Sequence, residues 1–235
     1  MTASPGDSAS AAGGKPQPAG YVVEPARDDH HALIDADDAR WDAAPAIAWG
    51  AAPFATRFRA LWAPDVLYVR FDADDTSPWF TKAQRDASIW EEEVVEIFLD
   101  PAGQGVDYFE LEISPANVVC DLRVRRPYPN LHSETSFDLD GLESAVQLRG
   151  EGIDGQAPGW IATAALPFAG LRSLPVPDAI RIPPAAGDRW RFNVFRIKRP
   201  NGPMRPKDGA ILAAWSPTGT PSFHVPAAFQ AFTFG

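Results

Sequence analysis

What most constrains this chain is alternation: short runs in which apolar and polar residues take turns, each run ended by Pro, Gly or Asp. Phe58, Ala60 and Trp62 alternate with Arg57, Arg59 and Leu61. After the break Ala63-Pro64-Asp65, Leu67, Val69 and Phe71 alternate with Tyr68, Arg70 and Asp72. A period of two sends successive side chains to opposite faces of a strand, so these two runs predict a hairpin. Val94 to Leu99 is apolar on both faces except at Glu96 and predicts a central strand. Beyond the turn-rich stretch Asp100 to Asp107, Phe109, Leu111 and Ile113 resume the alternation. Val118 to Val124, Gly159 to Leu166, Arg189 to Lys198 and Phe229 to Phe234 predict four further strands. The chain also carries 24 prolines, well above the roughly 5% of an average sequence. Proline on that scale breaks long helices and belongs in turns, loops and sheet edges. The expected class is all-β, an antiparallel β-sandwich with long loops and little helix. One segment departs from the pattern: Trp79, Ala83, Asp86 and Trp90 have helical spacing. It predicts a loop over Thr76 to Trp90 with one helical turn.

Residues 1–20, rich in Ala, Ser, Gly and Pro, predict a flexible tail, and residues 21–235 a single domain. With 45% hydrophobic residues and eight Trp there is material for a substantial core. No stretch approaches the roughly 20 apolar residues of a membrane span, and Met1 to Gly20 has no signal-peptide character. The expectation is a soluble protein, cytoplasmic by default and exported if the true N-terminus differs. A net charge of −10 argues against nucleic acid, which needs clustered Lys and Arg. The single cysteine, Cys120, excludes an intrachain disulfide framework and a Cys-rich zinc site. Among Val118, Val119 and Leu122 it is expected to be a buried, inert thiol.

The most informative segment is Trp90-Glu91-Glu92-Glu93-Val94-Val95-Glu96-Ile97-Phe98-Leu99-Asp100. An aromatic residue, three acids and then an apolar strand interrupted by Glu96 is unusual for a pure core strand. A carboxylate between Val95 and Ile97 must be paired, hydrogen-bonded or exposed to a ligand. An Arg across the sheet would satisfy it as well as a ligand would.

This segment resembles the signature of family 9 carbohydrate-binding modules, in the wider DOMON-like superfamily. Leu33-Ile34-Asp35 with Asp38 and Trp41 resembles the family's opening motif, and Leu67-Tyr68-Val69 through Asp75 its hairpin strand ending in Asp. Gly159-Trp160-Ile161, Leu166-Pro167-Phe168, Phe192-Asn193-Val194, Trp215-Ser216-Pro217 and Pro226-Ala227-Ala228-Phe229 follow in the family's order. The resemblance implies a non-catalytic module that holds a sugar or glycan end between two aromatic side chains at one end of the sandwich. Carried over residue by residue, it puts Trp90 as the first aromatic and Glu96 as the hydrogen-bonding carboxylate. Phe223, beside His224, takes the second aromatic position, where the family's sugar-binding example has Trp. Phe195 falls where a polar residue is expected. The remaining candidates are Asn193, Arg196 and Trp215. Period two forbids Asn193 and Arg196 from facing the same side. Arg196 is therefore either a buried partner for one of the acids or a ligand donor.

Three further readings bear on the same residues. Asp72, Asp75 and Glu92 are candidate oxygen ligands for a structural calcium, which the resemblance implies for some family members, although no EF-hand spacing is present. A glycoside-active enzyme would pair two carboxylates, but no nucleophile, zinc or phosphate-loop motif occurs. A haem-binding electron-transfer domain of the same superfamily would need Met204 and His224 as ligands, and Met204 lies in a polar loop.

Overall fold

The computed structural model describes residues 19–26, 30–150 and 158–235. The expected tail lies outside them except at its last two residues. Thirteen strands are present among the described residues, with two four-residue α-helices and short 3-10 turns. The strands are β1 (Tyr21–Pro25), β2 (Ile47–Trp49), β3 (Thr56–Trp62), β4 (Val66–Asp74), β5 (Val94–Asp100), β6 (Tyr108–Ile113) and β7 (Val119–Arg126). They continue with β8 (His132–Glu134), β9 (Glu143–Arg149), β10 (Gly159–Pro167), β11 (Arg189–Lys198), β12 (Ile211–Ala214) and β13 (Gln230–Phe234). The 76–90 segment is loop with one helical turn at Ile89–Glu91, as its sequence predicts. No helix of the described residues is long and apolar enough to cross a membrane.

The order β8-β7-β6-β5-β11-β13-β1-β3-β4-β10-β9 runs through two sheets that share β1, with β12 added to β11 and β2 to β3. All pairings are antiparallel except the two made by β1, so the sheet is mixed where a purely antiparallel one was expected. Tyr21 to Val23 pair in parallel with Phe232 to Phe234, and Glu24 and Pro25 in parallel with Leu61 and Trp62. One strand crosses from the first sheet to the second in five residues. That crossing satisfies the edges of both β13 and β3, which would otherwise expose unpaired backbone groups.

The inner faces pack as the alternation predicts. Val95, Ile97, Leu99, Phe109, Leu111, Phe192 and Val194 meet Phe58, Ala60, Val69, Phe71, Trp160 and Ala162 in one core. Tyr21 ties the layers together: its ring lies against Phe58 and Phe232, and its hydroxyl donates to the Pro45 carbonyl at 2.7 Å and accepts from the Ala60 amide at 2.8 Å. The outer face of the β3–β4–β10 sheet is covered by the segment carrying Leu33 and Trp41, whose indole donates to the Leu33 carbonyl at 3.1 Å. Among the described residues, the outer face of the β5–β6–β7–β11 sheet is covered by the 76–93 and 215–229 segments, with Leu131 and Leu212 at the margin of the cleft between them. That loop-covered face is where the polar residues gather.

Candidate functional site

Strand pairing, rather than proximity in sequence, assembles the site. On β5 the inward residues are Val95, Ile97 and Leu99, so Glu96 and Phe98 point to the outer face. The β5–β6 register sets Glu96 opposite Glu112 and Phe98 opposite Glu110. The β6–β7 register sets Cys120 beside Glu112 and Leu122 beside Glu110, and β11 brings Phe195 beside Glu96. Three glutamates thus share one patch, each no more than 3% exposed. The Arg that could have satisfied Glu96 across the sheet is absent, and its cross-strand neighbours are Phe195 and Glu112.

Loops build walls around this floor. Trp90, 37% exposed, stands at the rim, and its backbone N–H is donated to the Glu112 carboxyl below. Arg199, immediately after β11, donates to the carbonyls of Trp90 at 3.1 Å and Glu92 at 3.3 Å. Opposite, Phe223 stacks on Phe195 with ring centres 4.3 Å apart and planes 17° from parallel. His224 stacks on Phe98 at 5.1 Å, and its Nδ1 lies 3.0 Å from the Tyr108 hydroxyl and 3.7 Å from Glu110 Oε2. The cleft between these walls is open to solvent on one side and has a volume of about 330 Å³. A hollow of about 430 Å³ beside Glu24, Arg40 and Pro45 has no aromatic lining and only those two charged residues.

The electrostatics of the floor are unusual. Burial raises the pKa values of Glu96, Glu110 and Glu112 well above the ordinary carboxylate range, and mutual repulsion raises them further. Glu112 and Glu110 hydrogen-bond to each other, which requires a proton on one of them. The Oε2 atoms of both are buried without a donor. Burial pushes His224 down to about 4, so its ring is neutral at pH 7. Burial and the same acids push the Cys120 thiol up, which makes it inert as expected.

Of the seven expected site residues, Trp90, Glu96, Phe223 and His224 line the cleft together. Asn193, Arg196 and Trp215 do not. Asn193 donates to the Ser216 carbonyl at 2.8 Å and accepts from the Ser216 amide, which pins the 215–229 loop. Trp215 packs on Phe192 of the core. Arg196 faces the inner side, opposite to Glu96, because strand alternation groups it with Phe192 and Val194. It donates to Asp75 at 2.7 Å and lies 5.5 Å over the Trp160 ring. Lys198 completes a buried network, 2.8 Å from Asp75 and 2.6 Å from Glu93. Two cations and two anions hold both ends of the 76–93 loop and so fix where Trp90 stands.

The three calcium candidates are not gathered into one cage. Asp72 is paired with Arg59 and Arg70, Asp75 with Arg196 and Lys198, and Glu92 accepts the Thr81 and Lys82 amides and the Thr81 hydroxyl. These oxygens are already occupied by the protein's own donors, so they do not fit a calcium ion, which needs 6–8 oxygen ligands. Asp86, Asp121 and Asp138 do come together elsewhere, but the Arg85 guanidinium sits among all three. Met204, the haem alternative's ligand, is 90% exposed and is not among the residues lining the cleft with His224.

The sequence reading missed Glu110, Glu112 and Arg199. The signal for the first two lay in Phe109-Glu110-Leu111-Glu112-Ile113, where the acids occupy the face opposite the apolar residues. A strand of that pattern is ordinarily half solvated; only the covering loops bury it here.

Residues 34–123 match the family described as carbohydrate family 9 binding domain-like. Among solved structures, a family 9 carbohydrate-binding module from Caldicellulosiruptor kristjanssonii is similar in its complexes with cellotriose and with glucose. The TM-score is 0.61 and the identity 14% in both, covering 91% of this chain and 92% and 94% of those chains. A Bacteroides uniformis protein, for which carbohydrate binding is proposed, gives a TM-score of 0.65 at 16% identity over 92% of this chain and all of that one. At such identities the shared property is the fold. No curated protein matches the chain.

Proposed function

We infer that this chain, similar over residues 34–123 and in its whole fold to family 9 carbohydrate-binding modules, is a non-catalytic module that holds a sugar unit in the Trp90–Phe223 cleft. One observation carries the reading: a half-exposed Trp stands at the rim of a cleft whose floor is buried carboxyl oxygen. Sugar rings present apolar C–H faces and a girdle of hydroxyls, and they are held by an aromatic face together with charged acceptors. The cleft volume lies at the small end of ligand sites and has room for a sugar unit. Phe223, backed by Phe195, supplies a smaller second wall.

The carboxyls argue for holding over cleaving. A glycosidase sets an acid and a second carboxylate on opposite sides of the bond to be broken. Here Glu110 and Glu112 are neighbours on one face of one strand and hydrogen-bond to each other, with Glu96 beside them. All three belong to the same floor.

The test is calorimetric titration of a monosaccharide and trisaccharide panel into the wild-type protein and Trp90→Ala. Losing a rim stacking face should weaken binding by about 1–2 kcal/mol, roughly 5- to 30-fold. A buried core Trp cut to Ala would cost about 3–5 kcal/mol of stability, whereas this rim residue should cost far less. Unfolding of Trp90→Ala, or unchanged affinity for a sugar that binds, would refute the assignment.

A further inference from the structure

Resting on the carbohydrate reading of this cleft, the floor also says which sugars suit it. Glu96, Glu110 and Glu112 form a cluster of three carboxyls, each at most 3% exposed, and Glu110 Oε2 and Glu112 Oε2 are buried with no donor. This site holds more acceptor capacity than its own donors fill. Carboxyls buried without a cation keep their protons, and a cation delivered by a ligand can take the place of those protons; among the described residues no Lys or Arg forms an ion pair with the three acids. Arg199 keeps its charge but bonds to two backbone carbonyls at the rim, and the Lys82 ammonium is 2.5 Å from Glu91 and 2.6 Å from the Ser88 carbonyl. Such a patch contrasts with the Asp75–Glu93 pair on the other face of the sheet, where Arg196 and Lys198 neutralise the charges.

We propose that the occupant is an amino sugar with a free ammonium group, a glucosamine-type unit whose cation is received by Glu96, Glu110 and Glu112 while its ring stacks on Trp90. An ammonium brings three donors, enough to reach both orphaned Oε2 atoms at once. An N-acetylated sugar brings one amide donor and no charge, and a hydroxyl sugar brings no charge. The titratable groups facing the three acids are Tyr108 on β6, Cys120 on β7, His224 with its neutral ring, and the two committed cations, Arg199 and Lys82. None of the neutral ones offers the three acids a positive charge near pH 7.

Binding a cation to carboxyls that hold protons must release protons, whereas a neutral sugar needs none to leave. The experiment is titration of glucosamine trisaccharide, its fully N-acetylated counterpart and cellotriose at pH 7, each in two buffers of different ionisation enthalpy. Glucosamine trisaccharide should bind at least tenfold more tightly than either neutral sugar, with net proton release, and its advantage should shrink as pH falls to 5. Glu112→Gln should reduce that advantage to less than threefold while leaving cellotriose binding measurable, and Glu110→Gln should do the same if the first variant folds poorly. Trilysine controls for attraction of any cation to a chain of net charge −10. If cellotriose binds as tightly as glucosamine trisaccharide, the amino-sugar inference falls and the carbohydrate reading stands. Trilysine binding as tightly also overturns it. If none of the three sugars binds at millimolar concentration, the carbohydrate reading itself falls.

Discussion

Glu112→Gln should make the unliganded protein more stable at neutral pH, which is the reverse of the usual outcome for a buried substitution. Glu112 has Glu96 directly across the strand pair and Glu110 two residues along its own strand. Two unit charges about 5 Å apart repel by about 3 kcal/mol at an effective dielectric constant near 20. The folded protein avoids this by keeping protons on the cluster, and that too costs free energy. A carboxyl that titrates near 4.3 in the unfolded chain costs about 1.4 kcal/mol per pH unit to keep protonated, so the ceiling at pH 7 is about 4 kcal/mol. Glutamine preserves the shape, still accepts the Trp90 amide, and offers Glu110 a permanent donor in place of the shared proton. Allowing for imperfect replacement of that hydrogen bond, the expected gain at pH 7 is about 2 kcal/mol, or roughly 4–8 °C in Tm for a chain of this size. The sign follows from the direction of the shift. A carboxyl with a raised folded pKa contributes full stability below its unfolded pKa and loses it as pH rises towards the folded one. The gain from the variant should therefore be absent near pH 4 and grow towards pH 7. Urea denaturation followed by Trp fluorescence at pH 4, 5.5 and 7 measures it directly. A variant less stable than wild type at pH 7, or a gain of equal size at pH 4 and 7, would show that charge is not what strains this floor.

Other perturbations separate the site from its support. Asp75→Ala leaves Arg196 and Lys198 buried with only Glu93 between them, and should cost about 3–5 kcal/mol in chemical denaturation. Loss of under 1 kcal/mol would mean that the network does not hold the 76–93 loop. His224 has a folded pKa lowered to about 4, so the stability it permits is full above its unfolded pKa near 6.5 and is lost as pH falls towards 4. The difference between wild type and His224→Gln should therefore shift by about 2 kcal/mol between pH 7 and pH 5, with wild type losing more. Parallel stability profiles for the two proteins over that range would contradict the neutral, buried ring.

The elements that the sequence determined by itself are those whose signal is local. β3, β4 and β6 follow from period-two alternation, because facing in and facing out is a property of each strand's own backbone, and β5, β7, β10, β11 and β13 from short apolar runs bounded by turn residues. β8, β9 and β12 were not legible, since they are edge or near-edge strands with exposed or half-exposed residues and little contrast between faces. β1 was not legible as a bridge, because its two parallel pairings join it to segments far along the chain. Glu96 was visible as an anomaly on an apolar strand, and Trp90 as an aromatic at the end of a polar loop. What Glu96 faces was decided only by the register of β5 on β6, which set a second and third carboxyl beside it in place of an arginine. Arg196 shows the same division: alternation gave the two faces of its strand, but its partner Asp75, 121 residues away, was chosen by packing. Alternation fixes which side chains share a face; only the folded arrangement determines which face the loops cover. Covering it turned an alternating, half-polar surface into a buried acidic floor, because the carboxyls lost their water without gaining a cation.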